Sequence, residues 1–259
     1  MRDDLPKYDA PPVVETVLGV QFARLPLSAA HVGWFWKNYL TGEWTTVRTV
    51  QRLEDIFERP ERSWGRPSIR LSTAQESRLQ FIRADNERMV QVQDSRFIYN
   101  WRRGEGAYPS YEKLLSEFQQ HFSQFQTFVE DAGLGSLDLN QWEVVYVNQL
   151  PRGDLWHDPS DWPDIFPGFS VPTKRLAFDT FSGVWSHLLD DHRGRLHIEC
   201  RHSKTTEEVE VIRLQLTARG PLDGHHTAEQ GFELGHQAIV LSFTDMTSAA
   251  AHKHWKRTR

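Results

Sequence analysis

One cysteine, Cys200, in 259 residues excludes any intramolecular disulfide and any CxxC pair for structural zinc or thiol exchange. The chain also lacks an apolar run near the roughly 20 residues that a membrane helix needs. Its start, MRDDLPKYDAPP, has no apolar leader core. A cytoplasmic protein with no membrane contact is expected. Charge of one sign is scarce too: 30 Lys+Arg against 35 Asp+Glu give a net charge of −5. Such a balance offers no overall field for a phosphate backbone, so nucleic acid is possible but not favoured.

The strong catalytic signatures are missing. There is no GxxxxGK[ST] loop, no strand-borne GxGxxG, no HExxH and no GxSxG elbow. His197-Ile198-Glu199 has the HxE form of zinc deaminases, but no PCxxC follows it, which leaves zinc two ligands short. Histidines cluster at His187/Asp190/Asp191/His192, Cys200/His202 and Asp223/His225/His226. Each cluster falls on a turn or strand end, where polar residues belong anyway. No metal and no cofactor are expected.

What is present is a run of strand and helix patterns. Pro11 and Pro12 deliver the chain extended into Val13–Ala23, with Val14, Leu18, Val20 and Phe22 at period two. Ser28 caps a helix running to Leu40. The stretch from Thr41 to Pro67 holds Gly42, Pro60, Gly65 and Pro67 and reads as a solvated flap, mostly loop, with a helical turn near Leu53–Phe57. A meander of strands is predicted at Ile69–Ser72, Leu79–Ala84, Arg88–Gln93 and Arg96–Arg102. The helix Tyr111–Asp131 follows from Leu114, Leu115, Phe118, Phe122, Phe125 and Val129 at three-and-four spacing, and Gly133 ends it.

A second series begins with a strand at Trp142–Leu150. The Pro- and Trp-rich DLWHDPSDWPDIFPGF then stands where a helix would. Strands at Lys174–Leu189, Arg195–His202 and Val209–Arg219 precede a helical tail with Phe232, His236, Ile239, Phe243 and Met246 in register. Glu15-Thr16-Val17 align with Glu143-Val144-Val145, and Gln21 with Gln149, at one shared offset. The expectation is an α+β fold of antiparallel sheets with long helices on one face, built as two divergent β-α-β(3-4)-α halves. These are 11–135 and 136–259, after a lead-in at 1–10, in one compact body. The same plan, used twice, makes the saddle of TATA-box-binding proteins, an analogy that assigns no function.

Three stretches, PPVVETVLGVQF, VQVQDSRFIYNWRRGEGAYPSYEKL and HQAIVLSFTDMTSAAAHKHW, together resemble a sporadically distributed family of uncharacterised bacterial proteins of about this length. The distinctive parts are PPVVE and NWR followed by YPxY. The resemblance implies no activity or cofactor; the family's patchy distribution is similar to that of genes in mobile or defence loci. It singles out Glu15, Asn100, Trp101, Arg102, Tyr108, Tyr111 and Asn148, with Arg103 beside them. As structure, Glu15 would pair with an Arg across the sheet, Asn100 and Asn148 would tie strand ends, and Tyr108 and Tyr111 would staple the following helix. As function, Arg102 and Arg103, flanked by Trp101 and Tyr108, would bind an anion or an acidic partner. The loop tryptophans, Trp44, Trp64, Trp156 and Trp162, either plug the sheet edge or offer a stacking surface. The expected function is a non-enzymatic binding or adaptor module for a protein partner or small anionic ligand. The alternatives are an enzyme acting on nucleotides or nucleic acid, and a nucleic-acid-binding saddle.

Overall fold

A computed structural model describes residues 5–40, 42–58, 77–170, 175–189, 193–224 and 226–259. Among them, nine strands form one antiparallel sheet in the order β2-β3-β4-β5-β1-β6-β9-β8-β7. In chain order the strands are β1 (Val13–Phe22), β2 (Trp44–Gln51), β3 (Ser77–Arg83), β4 (Arg88–Gln93), β5 (Arg96–Arg102), β6 (Leu139–Pro151), β7 (Ser182–Leu188), β8 (Arg195–Lys204) and β9 (Glu210–Pro221). The helices are α1 (Ala29–Asn38), α2 (Tyr111–Asp131), the short α3 (Trp162–Ile165), α4 (Ala228–Met246) and α5 (Ala249–His254). No described helix is long and apolar enough to cross a membrane.

Local chemistry fixes the helix starts. Ser28, Ser110, Thr227 and Ser248 each accept a backbone N–H of the first turn through the side-chain oxygen. Each such cap stabilises its helix by about 1 kcal/mol. α2 then buries Leu114, Phe118, Phe122, Phe125 and Val129 on one stripe. Phe97 of β5 meets Phe118, Phe122 and Phe125 at ring-centroid distances of 5.2 to 5.9 Å. Burying each such side chain contributes about 1.5–3 kcal/mol. α1 joins this layer through Phe35, whose ring lies 5.4 Å from Phe125 and 6.2 Å from Phe81.

In the other half, α4 lies against β6 and β9 at close range because it is glycine at the contact. A Cβ on Gly231 would fall 2.5 Å from the Trp142 ring, and one on Gly235 would fall 2.7 Å from it. Trp142 is itself fully buried and has nowhere to go. The Pro/Trp-rich segment makes only a 3-10 turn and α3, and its tryptophans are plugs. Trp156 and Trp162 are both 0% exposed, packed edge to face on each other and on His202.

Three expectations need correction. Trp44–Gln51, read as loop, is strand β2, because Thr45, Thr46, Val47, Thr49 and Val50 supply β-branched side chains that pair with β3. Its Trp44 is buried against His121 of α2. The helical turn at Leu53–Phe57 is absent; residues 52–58 run over the sheet, tied by side chains of the strands below. The strand expected over Lys174–Leu189 is confined to Ser182–Leu188. Phe178 and Phe181 turn inward instead, Phe178 onto Trp162 and both onto Phe169. The strand expected at Ile69–Ser72 and the side chain of Trp64 lie outside the described residues.

The registers repeat across the centre of the sheet. β1 and β6 pair antiparallel with Val17 opposite Val145. Outward from them, Glu15 faces Arg102 as Glu143 faces Arg219, and Gln21 faces Arg96 as Gln149 faces Arg213.

Replacing Gly231 with Ala is expected to lower stability by about 1–3 kcal/mol, the cost of overpacking, although Ala favours a helix interior by about 1 kcal/mol. Urea titration of the variant measures the net sign.

Candidate functional site

The sheet has two unlike faces. On the helix side, α2, α4 and the segment before β1 leave a cleft of about 320 Å³. Its floor is Tyr146 of β6, with Tyr108, Tyr111, Val13 and Asn148 around it. Its far wall is His236, Ile239, Val240 and Phe243 of α4. The near wall is the N-terminal segment, which the end of the chain holds in place. Asp9 N–H donates to the Lys256 carbonyl (3.1 Å), and Thr258 N–H to the Lys7 carbonyl (2.9 Å). The Tyr8 hydroxyl lies 2.9 Å from Thr244 Oγ1.

A chain of hydrogen bonds runs beneath the cleft. The Tyr108 hydroxyl donates to that of Tyr146 (3.1 Å), which lies 2.9 Å from His236 Nδ1. The His236 ring stacks flat on Tyr111 at 3.8 Å with 2° between planes. Trp101 supports the row edge-on, 5.0 Å from Tyr108. Burial raises the pKa of both the Tyr108 and Tyr146 hydroxyls, so both keep their protons far into alkaline solution.

Three stretches singled out in the sequence converge here. Pro11 and Val13 come from the first, Tyr108, Ser110, Tyr111 and Glu112 from the second, and His236 to Phe243 from the third. Of the singled-out residues, Tyr108, Tyr111 and Asn148 thus share one cleft, and Asn148 also donates to the Leu214 carbonyl (3.2 Å).

The others do not join them. Trp101 is 1% exposed in the core. The Arg103 guanidinium donates to the carbonyls of Val13 (2.9 Å) and Pro11 (2.6 Å), fixing the entry to β1. Arg102 is exposed at the end of β5, opposite Glu15. Arg102 and Arg103 therefore form no common anion pocket with Trp101. Glu15 and Asn100 lie on the opposite face of the sheet, at the end of a four-strand amide ladder. Gln80 donates to Gln91 (2.9 Å), Gln91 to Asn100 (2.6 Å) and Asn100 to the Glu15 carboxylate (2.8 Å).

That helix-free face is polar and crossed by residues 52–58. Gln93 and Gln21 act as side-chain substitutes for a neighbouring strand. Gln93 accepts from Leu53 N–H and donates to the Leu53 carbonyl, both at 3.0 Å. Gln21 does the same with Ile56, at 2.9 and 3.1 Å. Glu58 anchors the far end on β8 and β9, 2.9 Å from His197, 3.2 Å from Arg195 and 3.8 Å from Arg219. Burial alone would raise the Glu58 carboxyl; the His197 hydrogen bond and the charges of Arg219 and Arg195 outweigh it and hold the carboxyl below its ordinary value. None of the described strand residues facing this side is Phe, Tyr or Trp, since Phe97, Tyr99 and Trp101 all point to α2 and the core.

Among the described residues, no group of three or more His, Cys, Asp or Glu is arranged to hold a metal. The Cys200 thiol is buried, and that burial pushes it up to about 12. No protein-family model and no curated protein sequence matches the chain.

Tyr146 and His236 escape notice in the sequence as site residues. The signal was present: His236 interrupts an apolar helix stripe, and Tyr146 an otherwise Val-rich strand.

The hydroxyl row and the Glu58 anchor each carry expected outcomes. Tyr146→Phe strands the Tyr108 hydroxyl and His236 Nδ1, costing about 1–3 kcal/mol in urea titration. Because the tyrosine pKa values are raised, their stabilisation is complete below the ordinary value of 10.0 and is lost as pH climbs above it. Phenolate absorbance of the native chain should lag behind that of the denatured chain. The lowered Glu58 pKa works in the opposite direction: its contribution is present above 4.5 and lost as pH falls below it. Protection of the Leu53 and Ile56 amides, taken relative to the intrinsic exchange rate at each pH, should fall in that range, and Glu58→Gln should bring the same fall to neutral pH.

Proposed function

We propose that the chain is a non-enzymatic binding module whose helix-side cleft takes a small amphipathic ligand. The apolar part would lie along Tyr111, Val240 and Phe243, and the polar part would reach the Tyr146–His236 end. The observation that carries this reading is the convergence of the three singled-out stretches on one aromatic cleft of about 320 Å³, within the range of small-molecule sites. Hydroxyls whose pKa is raised by burial are poor proton-transfer groups near neutrality, which favours holding a ligand over transforming one.

The same proposal includes an internal duplication. In its support, Glu/Arg and Gln/Arg pairs recur at matching cross-strand positions in the two halves. Ser110 and Thr227 cap helices that follow the repeated strands β5 and β9. The strand order is similar to that of the TATA-box-binding saddle, but this supports a shape and not a ligand. A saddle that grips nucleic acid needs open aromatic and cationic groups on its helix-free face. Here residues 52–58 cross that face and none of its described strand residues is Phe, Tyr or Trp, so the helix-side cleft is the better candidate.

Anilinonaphthalene sulfonate, an amphipathic anion, serves as a probe. It should bind the native chain saturably, with fluorescence enhancement at one site per chain. Val240→Trp, which fills the cleft from α4, should weaken that binding by at least about tenfold while the melting transition is kept. Equal binding by the variant would reject the cleft.

A further inference from the structure

Among the described residues, strand β7 ends the sheet and no strand pairs with its outer edge. Counted from the central pair, the described sheet has five strands on the β1 side and four on the β6 side. Leu189 N–H donates to the Gly194 carbonyl, and His202 N–H to the Phe181 carbonyl, both at 3.0 Å. These bonds fix the phase of the strand: Gly183, Trp185 and His187 direct their backbone groups to β8, and Ser182, Val184, Ser186 and Leu188 direct theirs outward. Edge strands are ordinarily blunted by charge, proline or a bulge. β7, SGVWSHL, has no Lys, Arg, Asp, Glu or Pro and pairs with β8 without a register shift. Its apolar side chains are largely exposed, Val184 at 63% and Leu188 at 51%, and the Ser186 hydroxyl lies 2.8 Å from His197 Nδ1 of β8.

We propose that this edge pairs with β7 of a second copy of the chain, antiparallel about a two-fold axis through Ser186. The register follows from three requirements. Outward-directed residues must face each other so that the free N–H and C=O groups exchange bonds. Residues of one sheet face must meet residues of the same face. Apolar side chains must meet apolar ones. Centring on Ser186 satisfies all three, because Val184 then faces Leu188 of the other copy on one side of the sheet, and Trp185 faces His187 on the other. Centring on Trp185 would set Val184 against Ser186 and Leu188 against Ser182, leaving the apolar groups mismatched. The absence of charge matters for self-pairing, since a charged strand laid against its own copy sets like charges near each other. The other edge, β2, carries Arg48.

Cross-linking in the full chain reads both the dimer and its register. Cys200 is buried and does not compete. Under mild oxidation, Ser186→Cys alone should give a covalent dimer. Val184→Cys alone and Leu188→Cys alone should not, but an equal mixture of the two should cross-link. Sedimentation of the unmodified chain should show a concentration-dependent dimer. Ser186→Pro, which removes an N–H that β8 does not use, should weaken that dimer at least about tenfold. A chain that stays monomeric at every concentration overturns the proposal, as does a dimer unaffected by Ser186→Pro. Cross-linking by Val184→Cys alone in place of Ser186→Cys overturns the register.

Discussion

The antiparallel contact of β1 with β6 is the constraint on which the molecule rests. It joins two series of strands into one sheet, so the strands at the centre have neighbours on both edges and material on both faces. A strand in that position leaves few backbone or side-chain polar groups to water. On the helix side the solution is apolar: Leu18, Val20, Val144 and Trp142 meet the helices. On the other side it is amide chemistry, because Gln and Asn can donate and accept at once and so extend a hydrogen-bonded surface sideways across strands.

That second solution explains the role of residues 52–58. An extended segment lying on a sheet face presents N–H and C=O groups that no ladder can satisfy. Gln21 and Gln93 each satisfy one residue's pair of groups, and Gln141 accepts from the Glu58 N–H. The segment thereby links the two series of strands on the face away from the helices, starting beside β4 and ending on β8 and β9. The molecule is fastened at three levels: strand pairing at the centre, helices on one side, and a side-chain-bound segment on the other.

Much of this was legible in the sequence wherever a period repeated over enough residues. α2 is read to its boundaries because six apolar residues recur at helical spacing and Gly133 ends the run. β1, β4 and β5 are read because alternation survives their polar residues. β2 was missed because Gly, Pro and charge in its surroundings outweighed five β-branched residues. The path of residues 52–58 was missed for a different reason. Its partners, Gln21, Gln93, Gln141 and His197, come from four separate strands, and no local window contains them. One trace was available: VQVQ in β4 and the lone Gln21 put amides on the face opposite the aromatic rings, an unusual choice for strands that are otherwise core. In the candidate site, Tyr108 and Tyr111 were legible from the YPxY that follows NWR, and Asn148 from its place in a Val-rich strand. Arg102 and Arg103 illustrate the limit, because adjacent residues at a strand end point apart, one to solvent and one to backbone carbonyls.

The central pairing also has a consequence in time. During synthesis β1 emerges first, and β5 can cover one of its edges once the first series is complete. The other edge must wait for β6, which lies beyond the whole of α2. Contacts so distant in the chain close slowly. In that interval β1 is a long apolar strand with an open side, the kind of edge that recruits neighbouring chains. The nascent protein is therefore most exposed to misassociation at the strand that ends up deepest in the finished fold, and a chaperone or rapid translation through α2 would matter more to yield than to final stability.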